Sequence, residues 1–241
     1  MIMMTRFLMA SLAALALTPN VTHASCARAE FVPSLLTTRD THLPDDGGVL
    51  VGFAYSTDDK MREETGPDPS DVKWSGMDGK KPVALTRVAL APGLSMYKPA
   101  AGTTSFAVWS KRGSKLGTFT VDGKAPNKLT APEPKLVKVT ATASFRSRTS
   151  VATLTLVKAP PAEAIAVIVY SVDASGTTAL TFTGLPDTHD KLTSFEVSRT
   201  GGHCSNEVHG TSSVEAGGKI AFAWVDIFGR VSPTSKPIVA K

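Results

Sequence analysis

The segment Lys219-Ile-Ala-Phe-Ala-Trp-Val-Asp-Ile-Phe-Gly-Arg-Val-Ser-Pro-Thr-Ser-Lys-Pro-Ile-Val239 decides the fold class. Ile220, Phe222 and Trp224 alternate with Ala221, Ala223 and Val225. A period of two puts the large groups on one face and the small ones on the other, as a strand in a layered fold requires. Asp226 and Gly229 then bracket a turn. An Asp side chain accepts from backbone N–H groups two residues on, and Gly takes positive φ without a Cβ clash. Pro233 and Pro237 flank the closing segment. Proline has no N–H to give a ladder, so the last strand is expected at a sheet edge.

The same grammar runs upstream. Candidate strands cover 136–145, 151–158, 165–171, 179–183, 192–198, the region around 204–208, and 220–225. Turn residues separate them: Ser147-Arg-Thr-Ser150, Pro160-Pro161, Asp173-Ala-Ser-Gly176, Gly184-Leu-Pro-Asp187, Gly201-Gly202 and Gly217-Gly218. Short strands at spacings of about 8–12 residues mark an all-β sandwich. Ala164-Ile-Ala-Val-Ile-Val-Tyr170 is apolar on both faces and rich in β-branched residues, which predicts a central strand. Nearer the N-terminus, Val49, Val51, Phe53 and Tyr55 share one face of a strand, and 83–90, 104–110 and 116–121 continue the pattern. Lys111-Arg-Gly-Ser114 reads as a short hairpin, and the charged, Gly- and Pro-containing stretch 57–69 as an exposed loop.

The stretch Val121-Asp-Gly-Lys-Ala-Pro-Asn-Lys-Leu-Thr-Ala-Pro-Glu-Pro134 is poor in large apolar groups and holds three prolines, so it reads as a stiff linker. It divides the chain into two units of about one hundred residues, a size that suits a single sandwich. The expected organisation is a signal peptide over 1–24, a β-sandwich over 25–122, a Pro-rich linker over 123–133 and a second sandwich over 134–241. Trp224, Asp226, Gly229, Ser232 and Pro233, in the order strand, Asp-x-x-Gly-x-x-Ser, Pro-punctuated strand, resemble the end of immunoglobulin-like and fibronectin type III-like sandwiches of bacterial secreted proteins. The resemblance covers about one-tenth of the chain. It implies two tandem immunoglobulin-like antiparallel sandwiches, and a fold alone does not imply a function.

The compartment is read from the first residues. Arg6 supplies a positive n-region, Phe7-Leu-Met-Ala-Ser-Leu-Ala-Ala-Leu-Ala-Leu17 an h-region, and Thr22-His-Ala24 small residues at the two positions a signal peptidase reads. Cleavage is expected after Ala24, and no later stretch is apolar over the roughly 18 residues a span needs. His23-Ala-Ser-Cys26 offers a competing lipoprotein site, but His23 stands where an aliphatic is usual, and polar 19–23 separates Cys26 from the apolar run. Export puts Cys26 and Cys204 in an oxidising compartment, where a disulfide between them is expected. So long a closed loop stabilises a fold by about 4–5 kcal/mol in the chain-entropy account.

Charge and motifs bound the function. The formal charge of +5 falls to about +4 once Arg6 leaves, and Lys80-Lys81 and Lys111-Arg112 are only doublets. A nucleic-acid surface needs denser basic residues interleaved with aromatics, so no nucleic-acid partner is expected. His203, Cys204 and His209, with Glu207 nearby, are the candidate metal ligands, although a disulfide would remove the thiolate. Asp187-Thr-His-Asp190 reads as a polar turn. Asp45-Asp46, Asp58-Asp59 and Glu63-Glu64 are the paired acids that a glycosidase or a calcium site would draw on. Trp74, Trp109 and Trp224 are core residues by default, or a sugar-binding row if exposed together. No Gly-x-Ser-x-Gly, His-Glu-x-x-His or phosphate-binding loop occurs. These observations favour an exported, monomeric, non-enzymatic binding or structural protein with no cofactor, acting in the periplasm, at the cell surface or outside the cell on a protein or carbohydrate ligand. The alternatives are a secreted hydrolase or carbohydrate-binding accessory protein, and a periplasmic metal-binding protein.

Overall fold

The computed structural model describes residues 30–39, 41–56, 75–78, 81–109, 115–123, 128–143, 148–201 and 214–241. Among these residues there are strands, one 3-10 turn at His189–Lys191, and no α-helix. The strands form four sheets. Sheet I holds β2 (His42–Leu43), β9 (Lys115–Val121), β8 (Ser105–Trp109), β4 (Ser75–Asp78) and β5 (Lys81–Val83), side by side in that order. Sheet II holds β1 (Glu30–Leu35), β3 (Val49–Ser56), β7 (Leu94–Pro99) and β6 (Leu85–Ala91). Sheet III holds β13 (Gly176–Gly184), β12 (Ala164–Asp173), β15 (Lys219–Asp226) and β16 (Ile238–Val239). Sheet IV holds β10 (Pro134–Ala143), β11 (Arg148–Leu156) and β14 (Ser194–Gly201). Pairing is antiparallel except between β2 and β9.

Three apolar seams stack the sheets in the order I, II, III, IV. Between I and II lie Leu43, Val49, Val51, Tyr97, Phe106, Val108 and Phe119. The rings of Phe106 and Phe119 meet there at 5.6 Å between centroids. Leu50, Leu94 and Met96 of sheet II meet Ala166, Ile168 and Val225 of sheet III in the middle seam. Val137, Leu154 and Val197 of sheet IV close on Val167, Val169, Ile220, Phe222 and Trp224 of sheet III. Consecutive residues therefore serve different seams: Val49 and Val51 face one and Leu50 the other, as do Val167 and Val169 against Ala166 and Ile168. That is the pleat at work, since side chains alternate across a strand. Sheets II and III are buried on both faces, which is why β12 is apolar throughout.

Most predicted strands are present with shifted ends. β15 carries the alternation that defines it, and β16 lies at the edge of sheet III as the prolines require. The predicted strand at 83–90 is in fact two, because the chain changes sheets at Ala84: β5 pairs in sheet I and β6 in sheet II. β1, β2, β4 and β7 were not anticipated. No strand forms at 128–133, within the stretch expected to be a linker. Even so, Leu129 is buried in the seam between III and IV, and Glu133 O accepts from Val157 N at 2.9 Å. The region 204–208, the hairpin at 111–114 and the loop 57–69 lie outside the described residues.

Leu50 is fully buried in the middle seam. Leu50→Ala should cost about 2–5 kcal/mol, through lost transfer energy and the cavity left behind. In chemical denaturation the two ends of the stack, reported by Phe106 and Trp224 environments, should lose stability together. Separate transitions would show that the middle seam does not couple them.

Burial raises the phenol pKa of Tyr97 in sheet II, partly offset by the Arg87 guanidinium, and burial raises that of Tyr170 in sheet III. A raised folded-state value means that the unfolded chain loses the proton first. This contribution to stability is complete below the ordinary tyrosine value of about 10 and is lost as pH climbs through the folded values. Titrated unfolding should show stability falling above about pH 10, and Tyr97→Phe with Tyr170→Phe should flatten that fall.

Candidate functional site

The turn after β15 is the most constrained polar feature among the described residues. Asp226 is 1% exposed. Its Oδ1 accepts from Phe228 N and from Arg230 N, both at 2.9 Å, and its Oδ2 accepts from Arg230 Nε at 2.7 Å. The backbone closes the same turn, with Gly229 N donating to Asp226 O at 3.0 Å and Asp226 N to Arg230 O at 3.1 Å. The Arg230 guanidinium lies 5.6 Å from the centroid of the Phe228 ring, and its Nη1 is 3.8 Å from Asp46 Oδ1. Gly229 has φ +73, and a Cβ there would stand 2.8 Å from the Met96 side chain. A side chain would be strained by backbone and neighbour alike.

This turn docks on sheet II. Thr37 Oγ1 donates to Ile227 O at 2.6 Å and accepts from Leu50 N at 2.7 Å. Gly48 N donates to Phe228 O at 2.9 Å. The next residues lace back onto β15: Ser232 N and Ser235 N donate to Trp224 O and Phe222 O, and their hydroxyls accept from Trp224 N and Phe222 N. Ser232 of the sequence motif is thus a backbone partner of Trp224. These groups build structure, and the site they frame lies beside them.

Two grooves open next to the 44–47 loop. The larger, about 530 Å³, is bounded by Pro44, Asp45, Lys98, Pro99, Thr103 and Thr104, among others. Thr103 shapes its wall by donating through both N and Oγ1 to Ala100 O, at 3.2 and 2.7 Å. Leu43 and Val121 also line it, and their chain neighbours His42 and Asp122 form a pair with Nδ1 to Oδ2 at 2.8 Å. Both residues are exposed, the His42 side chain more than that of Asp122. A carboxylate on Nδ1 fixes the imidazole's orientation and leaves Nε2 as its outward nitrogen. The smaller groove, about 300 Å³, lies at the seam of the stack, between Asp46, Met96, Lys128, Leu129, Arg230 and Pro233.

The other sequence candidates are dispersed. His203, Cys204, Glu207 and His209 lie outside the described residues, as do Cys26, Trp74 and the acids at 58–64. Among the described residues no three His, Cys, Asp or Glu side chains converge on a metal-sized spot. His189 is buried, with Nδ1 2.8 Å from Pro186 O and Nε2 3.2 Å from Pro161 O. It ties two loops together, so the Asp187–Asp190 segment is a turn with a structural histidine. Trp224 belongs to the core, its ring 6.4 Å from that of Phe195, while Trp109 is half-buried on β8. Among the described residues, no helix is long and apolar enough to cross a membrane. Neither groove was legible in the sequence, because positions 43–47, 98–104 and 121 meet only through sheets I and II. Asp45-Asp46 was the one local signal, and its two acids line different grooves.

Compared with protein-family models and with curated proteins, the chain matches none.

Asp226→Ala should cost about 3–5 kcal/mol, because it breaks the buried ion pair with Arg230 and removes the acceptor of two backbone donors. Asp226→Asn keeps an acceptor and should cost less. The measurement is the denaturation midpoint of both variants. Equal losses would mean that a neutral acceptor recovers nothing and that the charge carries the whole effect.

Proposed function

We propose that this chain is an exported, non-enzymatic binding or structural protein of the bacterial cell envelope or extracellular space. In this reading it is built of two immunoglobulin-like sandwiches set back to back and linked by a Cys26–Cys204 disulfide. It takes a protein or carbohydrate ligand in the groove of about 530 Å³. The groove carries the proposal. Its walls are loops and strand ends held by sheets I and II, the arrangement in which a rigid scaffold presents recognition residues. Asp45 and Lys98 give it one charge of each sign, and Thr103 and Thr104 add hydroxyls. The N-terminal n-region, h-region and cleavage pattern support export.

One observation favours a second reading, a secreted hydrolase. The His42–Asp122 pair joins an imidazole to a carboxylate at 2.8 Å, the combination a general base uses. Purified protein from culture should begin at Ser25 without acyl mass. It should bind members of a peptide and glycan panel, with Lys98→Ala and Asp45→Ala each weakening binding about tenfold, or 1.4 kcal/mol. Binding that survives both substitutions would remove the groove from the proposal. Turnover of a bound member that is lost in His42→Ala would replace it with the hydrolase.

A further inference from the structure

Among the described residues eight strands end the four sheets, and such edges invite pairing with other chains unless charge, proline or brevity blocks it. Seven of them are blocked in this way. β1 carries Glu30 and Pro33, β6 carries Arg87, and β14 carries Glu196 and Arg199. β10 starts at Pro134-Lys135 and has Lys138, while Lys241 N and O pair with Val137 and Val139. β2 and β16 are two residues long, and β5 is three with Pro82 at its centre.

β13 is the exception. Its nine residues, Gly-Thr-Thr-Ala-Leu-Thr-Phe-Thr-Gly, hold no charge and no proline. A bulge at Leu180 divides the strand, because Val169 pairs with Thr181 and Tyr170 with Ala179. The half beyond the bulge leans on β14, with Thr183 Oγ1 donating to Val197 O at 2.8 Å. The half before it is open, with Gly176, Thr177 and Thr178 exposed. The hairpin turn that leads into this open half is stiff. Asp173 Oδ1 accepts from Ser175 N, Ser175 Oγ and Gly176 N, and these bonds hold its carboxyl below the usual range.

We infer that the open half of β13, Gly176 to Leu180, is a strand-addition edge that pairs antiparallel with the same segment of a second copy of this chain. Charge selects that occupant. Antiparallel pairing about Thr178 sets Gly176 opposite Leu180, Thr177 opposite Ala179 and Thr178 opposite Thr178, with no like charges facing. Asp173 belongs to β12, across the hairpin from Gly176, and stands outside this ladder. Self-pairing of β6 about Arg87, or of β10 about Lys138, would bring basic groups together, which destabilises a ladder. A neutral segment also offers nothing to steer a charged foreign peptide. The turn bonds reduce the ordering cost of association. Five residues per copy make a short ladder, so the dimer is weak and concentration-dependent, in place of the monomer expected from the sequence.

Sedimentation velocity of the full mature chain, from micromolar to near-millimolar concentration, tests this. The wild type should shift reversibly from monomer to dimer. Thr178→Lys and Thr178→Glu, both at an exposed position, should each stay monomeric with unchanged melting temperature. An equimolar mixture of the two should dimerise again, because opposite charges then face each other. A wild type that remains monomeric throughout overturns the inference. So does a dimer that neither substitution weakens, or a mixture that fails to associate while the wild type does.

Discussion

The Asp226 carboxylate is the constraint on which the rest of the structure turns. Sheet III is buried on both faces, so the end of β15 has no solvent layer in which an irregular turn could satisfy its backbone. Buried N–H groups without partners are costly. Asp226 supplies acceptors for two of them from a single side chain and is itself compensated by Arg230. The turn carbonyls then face sheet II, where Thr37 and Gly48 donate to them. Polar satisfaction at this corner and apolar burial in the middle seam are one arrangement, because neither is complete without the other sheet beside it.

Close approach follows from the same demand. For Gly48 N to reach Phe228 O, the two backbones must come together with no side chain between them. A Cβ at Gly48 would stand 2.6 Å from Tyr97 O, and one at Gly229 would run into Met96. Dense contact here fixes how sheet II sits on sheet III. It also explains why Met96, an adaptable side chain, is the residue that fills the space around the turn.

Strand content was readable because alternation survives wherever one face differs from the other. β15 shows this with large residues on the Trp224 side and small ones opposite. β12 was readable for the opposite reason, being apolar on both faces. β7 was not, since Leu94-Ser-Met-Tyr-Lys-Pro mixes polar and apolar residues although its first four are buried. Ser95 is buried with its hydroxyl accepting from Arg87 Nε at 3.0 Å, and a hydrogen bond made in three dimensions leaves no mark on hydropathy. The turn role of Asp226 and the backbone freedom of Gly229 were visible locally. Their docking on Thr37 and Gly48 was not, because a contact across 190 positions has no local signature. The grooves fail to show for the same reason.

Stacking four sheets narrows where recognition can occur. The faces of II and III, the most apolar surfaces of the chain, are spent on cohesion and cannot receive a ligand without separating the stack. What remains is the outer faces of I and IV, the sheet edges, and the loops where strands end. The loop carrying Asp45 and Asp46 is the point where two of these resources meet. It joins β2 to β3, borders both grooves, and lies against the docked turn through Gly47 and Phe228. A ligand that moved this loop would press on the contact through which Gly48 holds Phe228. The groove wall and the cohesion of the stack are therefore mechanically linked through one loop.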